Sequence, residues 1–532
     1  MPTSPSTLPG DWNPDSWNNA GMIRGYLLIA ALLWAGLTTT QEHGREIYRR
    51  GTLAGSSMGT AAIGADAVRL PSSSFACATC HGTHGEGGRE SGIDTPPLNW
   101  KRLTSPSVSS VTGRRRDAYT SETLRRAITA GVDPSGARLY PGMPRYSMPD
   151  KDLAELLAYL ERLGDDQDTD PGVTATSIRI GVALPLSGPL EPAGQSIRET
   201  LERVFAEASR DGGIYGRSID LVAEDSLGTA AGLLDATRRL VNDDHVFALT
   251  ASLHTGSSTD AVRLLESAQI PLIGPVGLSP HENGLPNAYV FYLLPSLYDQ
   301  ARAIVDFIAA RDASRHPRLA VIYGETNFDR DVVEGIRNQA ALHGLEIIAE
   351  VRNAPSATGA VLSRQPDYLI FSGDGAGIAD AARSLDQASP VTVLVGFIST
   401  AQSGMASLPP RVAAHALFAA PALPPDSSDA AAFFTLMQAG HFPRTYLGFR
   451  SAAFAAGSVL VQALRSGGSR PNRDELVCTL EHLQHFETGV TAPLTFGPNQ
   501  RVGSAGAVIL ALDPGNHDFV AVGGWINLRG ER

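Results

Sequence analysis

Residues 75–88 read FACATCHGTHGEGG. Cys77 and Cys80 have two residues between them and His81 follows directly, which is the C-x-x-C-H spacing of covalent c-type haem attachment. The two thiols supply thioether links, and the adjacent imidazole of His81 is placed under the iron as proximal ligand. The sixth position then needs a soft or nitrogenous donor, and a thioether there raises the potential toward the range of electron-transfer cytochromes. Two methionines, Met143 and Met148, lie downstream in YPGMPRYSMPDKDLAELLAYLERLG. His84, three residues past His81 in a glycine-rich loop, is expected to face solvent. A zinc reading would need a second pair of ligands at metal-site spacing, and none is evident. A redox disulfide would need neither the histidine nor the methionine.

These residues have to be held by helices. EHGREIYRRG reads as an opening helix. Asp150 can cap a closing helix in which Leu153, Leu156, Leu157 and Leu160 recur at helical spacing, with Gly164 as its end. Residues 41–163 resemble the class I mono-haem cytochrome c family along their whole length, including Gly44, Tyr48 and the closing LLAYL. That resemblance implies an all-α domain, one covalent haem c, and a distal methionine in an M-P-x-[FY] stretch shortly before the last helix. MPRY fits, so the resemblance makes Met143 the distal iron ligand. Met148, the competitor, lies too close to the helix start and is expected to fill an apolar position beneath it.

A chain of 532 residues is several times longer than such a domain needs, and two or three domains are expected. Its 43% hydrophobic content is that of soluble globular protein. Net charge is uneven: about +3 over residues 41–164 and about −14 over residues 165–532. Arg114, Arg115, Arg116, Arg125 and Arg126 form either a solvated basic face or a docking surface for an acidic redox partner. No basic patch is interleaved with aromatics, which argues against nucleic acid as a partner. The third cysteine, Cys478, has no thiol left to pair with and is expected to be a small buried hydrophobe in ELVCTLEHL.

Met22, Arg24 and the apolar run from Tyr26 to Leu37 suit an export signal, so residues 1–40 read as a polar lead followed by a signal peptide or membrane anchor. No clean A-x-A site follows, so cleavage and retention both stay open. A periplasmic location agrees with covalent haem attachment, which in bacteria takes place outside the cytoplasm.

Residues 164–176 are acidic and turn-rich and read as a linker. Beyond them the pattern changes. SIRIGVALPLSG, SIDLVAEDS, VFALTASL, IPLIGPVG, RLAVIYGET, LEIIAEVR, PDYLIFSGD and VTVLVGFIS are near-continuous apolar strands alternating with helical stretches, the mark of doubly wound parallel sheets. Ligands of such sheets lie beyond the carboxyl ends of the strands. The loops there are rich in Gly, Ser and Thr, but neither the dinucleotide fingerprint nor the phosphate loop is present.

Residues 177–532 resemble the periplasmic solute-binding proteins of the branched-chain amino-acid and amide type (Leu/Ile/Val-binding, type I), on the stretches IRIGVALPLSGPL, GGIYGRSIDLVAEDS, LVNDDHVFALTASLHTGSST, IPLIGPVGLSP and RLAVIYGETNFDRD. The resemblance implies two α/β lobes that close over a small molecule. It places ligand contacts at Thr255, Gly256, Gly277, Leu278 and Ser279 of the first lobe and at Phe328 and Asp374 of the second. Ser257 and Ser258 read equally well as helix caps. In the family's amino-acid binders a second-lobe tyrosine and an acidic residue help to hold the ligand's ammonium. Here those positions fall on Phe328 and near Ile398, which implies a solute without that group unless Asp374 substitutes.

The expected function is therefore electron transfer and solute capture without catalysis: no Ser-His-Asp set, H-E-x-x-H or cofactor loop is evident, and a haem ligated by Met143 has no open position. Two alternatives stay open, an ABC importer subunit with a passenger cytochrome and a haem-dependent periplasmic oxidoreductase. The implied partners are a small organic solute, a periplasmic redox partner and an ABC permease.

Overall fold

The computed structural model describes residues 37–53, 59–64, 67–90, 93–108, 113–165, 168–281, 287–388, 391–424, 428–513 and 518–528. Of the polar lead and export segment expected over residues 1–40, residues 1–36 lie outside them. The chain divides into two compact units, Met1–Thr169 and Asp170–Arg532.

In the first unit, helix α1 (Thr39–Arg50) opens with a capping box on Thr38 and Gln41 and stops at Gly51, whose φ of 65° a side chain would resist. Helix α2 (Cys77–His81) carries the haem motif, α3 (Ser121–Ala130) follows, and α4 (Asp150–Leu160) closes the unit. Pro149 occupies the N-cap of α4, and Asp150 is its first helical residue, ion-paired to Arg125 at 2.8 Å. The expected cap is thus displaced by one position, because proline suits a helix start and needs no amide donor. Helix α1 crosses α4 at Gly44, where a side chain would run into the Glu155 carbonyl and reach within 2.7 Å of Tyr159 Cβ. The approach brings Tyr48 and Tyr159 ring to ring at 5.6 Å, both fully buried. Leu153, Leu156 and Leu160 complete this core, at roughly 1.5–3 kcal/mol for each buried leucine. Small antiparallel sheets accompany the helices; in one, β1 (Thr60–Ile63) pairs with both β2 (Val68–Pro71) and β3 (Arg145–Ser147).

The arginines of this unit are tied into its own fold. Arg116 donates to the carbonyls of Arg102, Leu103, Ser105 and Asp117 and lies over the Tyr119 ring. Arg114 pairs with Asp133, and Arg126 donates to the Asp133 carbonyl. Of the five, Arg115 is the exposed one without such a bond among the described residues.

The second unit has two lobes. The first lobe's sheet consists of β4 (Ser177–Leu184), β5 (Ser218–Asp225), β6 (Ala248–Thr250), β7 (Leu272–Ile273) and β8 (Val290–Phe291), all parallel, in the order β8-β7-β6-β4-β5. The second lobe has β9 (Leu319–Tyr323), β10 (Ile347–Arg352), β11 (Tyr368–Ser372), β12 (Val393–Phe397) and β13 (Leu417–Ala420), also parallel. Antiparallel strands β14 (Gly506–Asp513) and β15 (Asp518–Ala521) extend it to the order β10-β9-β11-β12-β13-β14-β15. The chain passes between lobes near residues 294–297, between β13 and Ala430, which packs in the first-lobe core, and near residues 504–506. The first and third passages are stitched together: Gly503 N donates to Tyr292 O at 2.7 Å and Ser504 Oγ to Leu293 O at 2.7 Å. Helix Leu447–Ser466 is long and apolar enough to cross a membrane, but it is a core helix of the first lobe, with Ala453, Val459 and Leu460 fully buried. Asp170 is buried at the edge of this lobe, where its Oδ2 accepts from Arg473 N at 2.7 Å.

Candidate haem and solute sites

Helix α2 is a single turn and a half, so Cys77 and Cys80, three positions apart, share a face. Neither is engaged in a disulfide. Phe75, Cys77 and Ala78 pack against the core of the unit, and burial pushes the Cys77 thiol up to about 11. The chain then reverses through Gly82, Gly85 and Gly87, all at positive φ. At Gly87 a side chain would stand 2.6 Å from Thr95 O and 2.7 Å from Pro97 N, so the loop closes only around glycine. Tyr48 clamps this reversal by donating its hydroxyl to Gly82 O at 2.8 Å, and Thr95 does so on Cys80 O at 2.5 Å.

His81 Nδ1 lies 2.9 Å from the Pro96 carbonyl. A carbonyl only accepts, so Nδ1 carries the proton and Nε2 keeps its lone pair for a metal. Burial lowers the His81 pKa and the bond to Pro96 only partly opposes it, so the ring stays neutral, as ligation requires. The MPRY segment comes to the same place. Tyr146 donates to Phe75 O at 2.6 Å and its hydroxyl also reaches the Cys77 sulfur. Met143 is half-buried in the turn just before β3, and Met148 packs against the core that α4 covers. Among the described residues no cluster of three His, Cys, Asp or Glu side chains could hold another metal. The donor set fits haem c: two thiols on one helical face, a neutral imidazole with Nε2 free, and a thioether in the turn that leads into β3, a strand tied to the same helix through Tyr146.

His84 does not face solvent. Its side chain is 11% exposed, and its Nδ1 meets Asp168 Oδ2 at 3.2 Å. Asp168 is fully enclosed and also accepts from Tyr159 Oη at 2.9 Å and Gly164 N at 3.0 Å, with Arg49 Nη2 at 3.6 Å. Burial alone would raise its pKa, but the bonds from His84 and Gly164 and the Arg49 charge outweigh it and hold the carboxyl below the usual range. A depressed carboxylate contributes stability above its unfolded pKa of about 3.9 and loses it as pH falls through the folded value. Asp168→Ala should therefore cost about 3–5 kcal/mol near neutral pH, because it removes a buried carboxylate shared by His84, Tyr159, Gly164 N and Arg49, and the penalty should shrink on acidification. Thermal melts of the full-length protein followed in the haem absorption would show it; equal melting of variant and parent near neutral pH would remove the network from the stability of this unit.

In the second unit the loops that follow the strands of both lobes include the expected contacts. Asp225 organises the first of them, accepting from Leu186 N at 2.9 Å and Ser187 Oγ at 2.7 Å. In the second, His254 N donates to Val276 O at 2.8 Å, and a side chain at Gly277 would come within 3.2 Å of His254 Cβ. Burial brings the His254 pKa down to about 4, so its ring is neutral, and it makes no hydrogen bond to a described residue. Next to it Thr255 Oγ1 is buried without a partner. Leu278 reaches across to pack on the second-lobe core together with Phe328.

The remaining expected contacts fare differently. Gly256 is exposed at φ 77°. Ser279 is buried, but its hydroxyl donates to Leu294 O at 2.7 Å and ties the loop to the first passage between the lobes. Asp374 is exposed and accepts from Gly377 N at 2.9 Å at the start of helix Gly375–Ala388. Ile398 packs into the second-lobe core. Ser258 is the N-cap of helix Thr259–Ala268 but makes no side-chain cap bond, while Ser257 reaches Thr259 Oγ1 at 3.3 Å. His254 was not singled out from sequence; a histidine inside a Ser/Thr loop directly after a strand was the available signal.

Residues 177–516 match the periplasmic binding protein family. The chain belongs to that family. Residues 72–164 match the cytochrome c family, so a cytochrome c domain, carrying haem c covalently, is joined to a periplasmic binding domain. The Leu/Ile/Val-binding protein homolog 7 of Brucella abortus (strain 2308) is 28% identical over 168 residues, 30% of this chain and 41% of its own. The chain thus spans about two fifths of the length of the curated relatives it matches. Among solved structures, a branched-chain amino-acid ABC transporter protein of Thermus thermophilus with bound valine superposes with TM-score 0.55 at 17% identity, over 66% of this chain and 97% of its own. A fatty acid ABC transporter substrate-binding protein of Thermomonospora curvata does so with TM-score 0.53 at 17% identity, over 68% and 95%. These likenesses establish the type I binding fold of the second unit. Periplasmic binding domains take small solutes.

Proposed function

We propose that this chain is an exported electron-transfer protein that captures a small organic solute lacking an ammonium group, with Met143 as distal iron ligand and Thr255, Gly256, Gly277 and Phe328 around the solute. The observation that carries the reading is the polar character of the inter-lobe site. It offers a neutral His254 ring and an unpartnered Thr255 hydroxyl, while the acidic candidate Asp374 is exposed and caps a helix. Ser279 contributes by holding its loop. The protein of Thermomonospora curvata is named for fatty acids and that of Thermus thermophilus holds valine, so one fold serves both chemistries and the lining residues decide.

When bound, haem supplies one-electron chemistry; the residues around it fix its ligands and exclude water. Tyr48 and Thr95 lock the motif turn and Pro96 fixes the His81 tautomer. Capture of solute and electron exchange with a periplasmic partner then belong to one molecule. Delivery to an ABC permease, with the cytochrome as passenger, is the second reading, favoured by the likeness to binding proteins of ABC transporters. Native mass spectrometry of the protein purified from its periplasm tests both parts. One haem that survives acid extraction together with a retained organic acid, alcohol, aldehyde or aromatic compound is expected. A mass without haem, or a retained α-amino acid, would overturn the corresponding half.

A further inference from the structure

The turn that carries Met143 is held from one side chain. Arg145, the third residue of MPRY, donates Nη2 to Leu139 O at 3.0 Å and Tyr140 O at 3.3 Å, and Nη1 to the carbonyl of Met143 itself. Its backbone is fixed in strand β3, opposite Ala62 of β1. Its guanidinium fills the space over Gly131, where a side chain would collide with it; Gly131 ends helix α3 at φ 67° and accepts from Leu139 N at 2.8 Å. No carboxylate among the described residues pairs with Arg145, so its charge is directed at these three carbonyls. Besides them the turn has few anchors: Met143 N to Tyr140 O at 3.1 Å and Gly64 N to Pro141 O at 3.1 Å.

We infer that Arg145 is a positioning residue that sets how firmly the Met143 sulfur holds its place at the iron; this rests on the assignment of Met143 as distal ligand. A thioether is a neutral, weak donor on a flexible side chain, so its competitiveness depends on how little ordering is left to do when it binds. Charge-assisted bonds to three consecutive-turn carbonyls do that ordering in advance. The planar fork of arginine spans several acceptors at fixed angles, which an ammonium cannot do, so lysine is not a conservative replacement here.

The test is competition by imidazole against the native sixth ligand in full-length oxidised holoprotein, read in the weak sulfur-to-iron absorption band. Parent, Arg145→Gln, Arg145→Lys and the exposed control Arg138→Gln are compared well below their melting temperatures. Arg145→Gln should keep its covalent haem and its band at neutral pH, yet bind imidazole at least about tenfold more tightly, with Arg138→Gln unchanged. If Arg145→Gln yields no holoprotein, Arg145→Lys decides by the same measure. Imidazole affinity within about twofold of the parent in the deciding variant overturns the inference. A parent protein without the sulfur band overturns the Met143 assignment itself, which is a separate result.

Discussion

Met143→Ala abolishes the sulfur-to-iron band of the oxidised protein and lowers its reduction potential while the haem stays covalently attached; Met148→Ala leaves the band in place. The expectation follows from where the two side chains lie. Met148 is packed into the core under the closing helix, whereas Met143 sits half-buried at the end of the turn leading to Tyr146, whose hydroxyl reaches Phe75 and Cys77. A thioether favours the reduced iron, and each tenfold of that preference lost lowers a one-electron midpoint by about 59 mV. Absorption spectra and a redox titration of the two variants decide it, and a band lost in Met148→Ala but kept in Met143→Ala would reverse the assignment. Cys77→Ala and Cys80→Ala should each remove one thioether link, and His81→Ala the proximal ligand.

Leucine, valine and glutamate should fail to bind the full-length protein at micromolar concentration. An α-amino acid brings an ammonium that must find acceptors once water is excluded. Phe328 offers no hydroxyl, Ile398 is apolar and built into the second-lobe core, and the Asp374 carboxylate is exposed and already accepts from Gly377 N. Leaving one ammonium buried and unpaired costs about 3–5 kcal/mol, so a micromolar ligand becomes a millimolar one at about 1.4 kcal/mol per tenfold. Titration calorimetry with the three amino acids checks this. Micromolar binding that disappears in Asp374→Asn would show that Asp374 takes the ammonium, and the solute class proposed above would then be wrong.

The parts of this molecule that local pattern controls were readable from sequence. The haem motif is five contiguous residues, Gly44 and Tyr48 lie on one face of one helix, and all eight strands expected in the binding domain form, because each has an apolar stretch of its own to read. Strands β8, β13, β14 and β15 were not anticipated; Val290–Phe291 is two residues long and has no periodicity to read. What sequence missed depends on distant partners. His84 turns inward because Asp168, 84 positions later in a stretch read as linker, is buried to meet it. Ser279 gives its hydroxyl to Leu294 rather than to the cleft. Cys478 is a failure of phase: Leu476 and Leu480, one turn apart, define the buried face of helix Arg473–Glu481, and a residue midway between them falls on the opposite side.

That outward-facing Cys478 gives the protein a built-in attachment point. Once Cys77 and Cys80 are committed to haem, it is the one thiol left in the sequence, and it is exposed on a first-lobe helix. Partial desolvation of its sulfur, with the Glu475 and Glu481 charges, raises its pKa, so it reacts more readily in mild alkali than at neutral pH. A thiol-reactive fluorophore or spin label placed there would mark a single site on the first lobe without any mutation, ready to report on solute-driven motion in the wild-type chain.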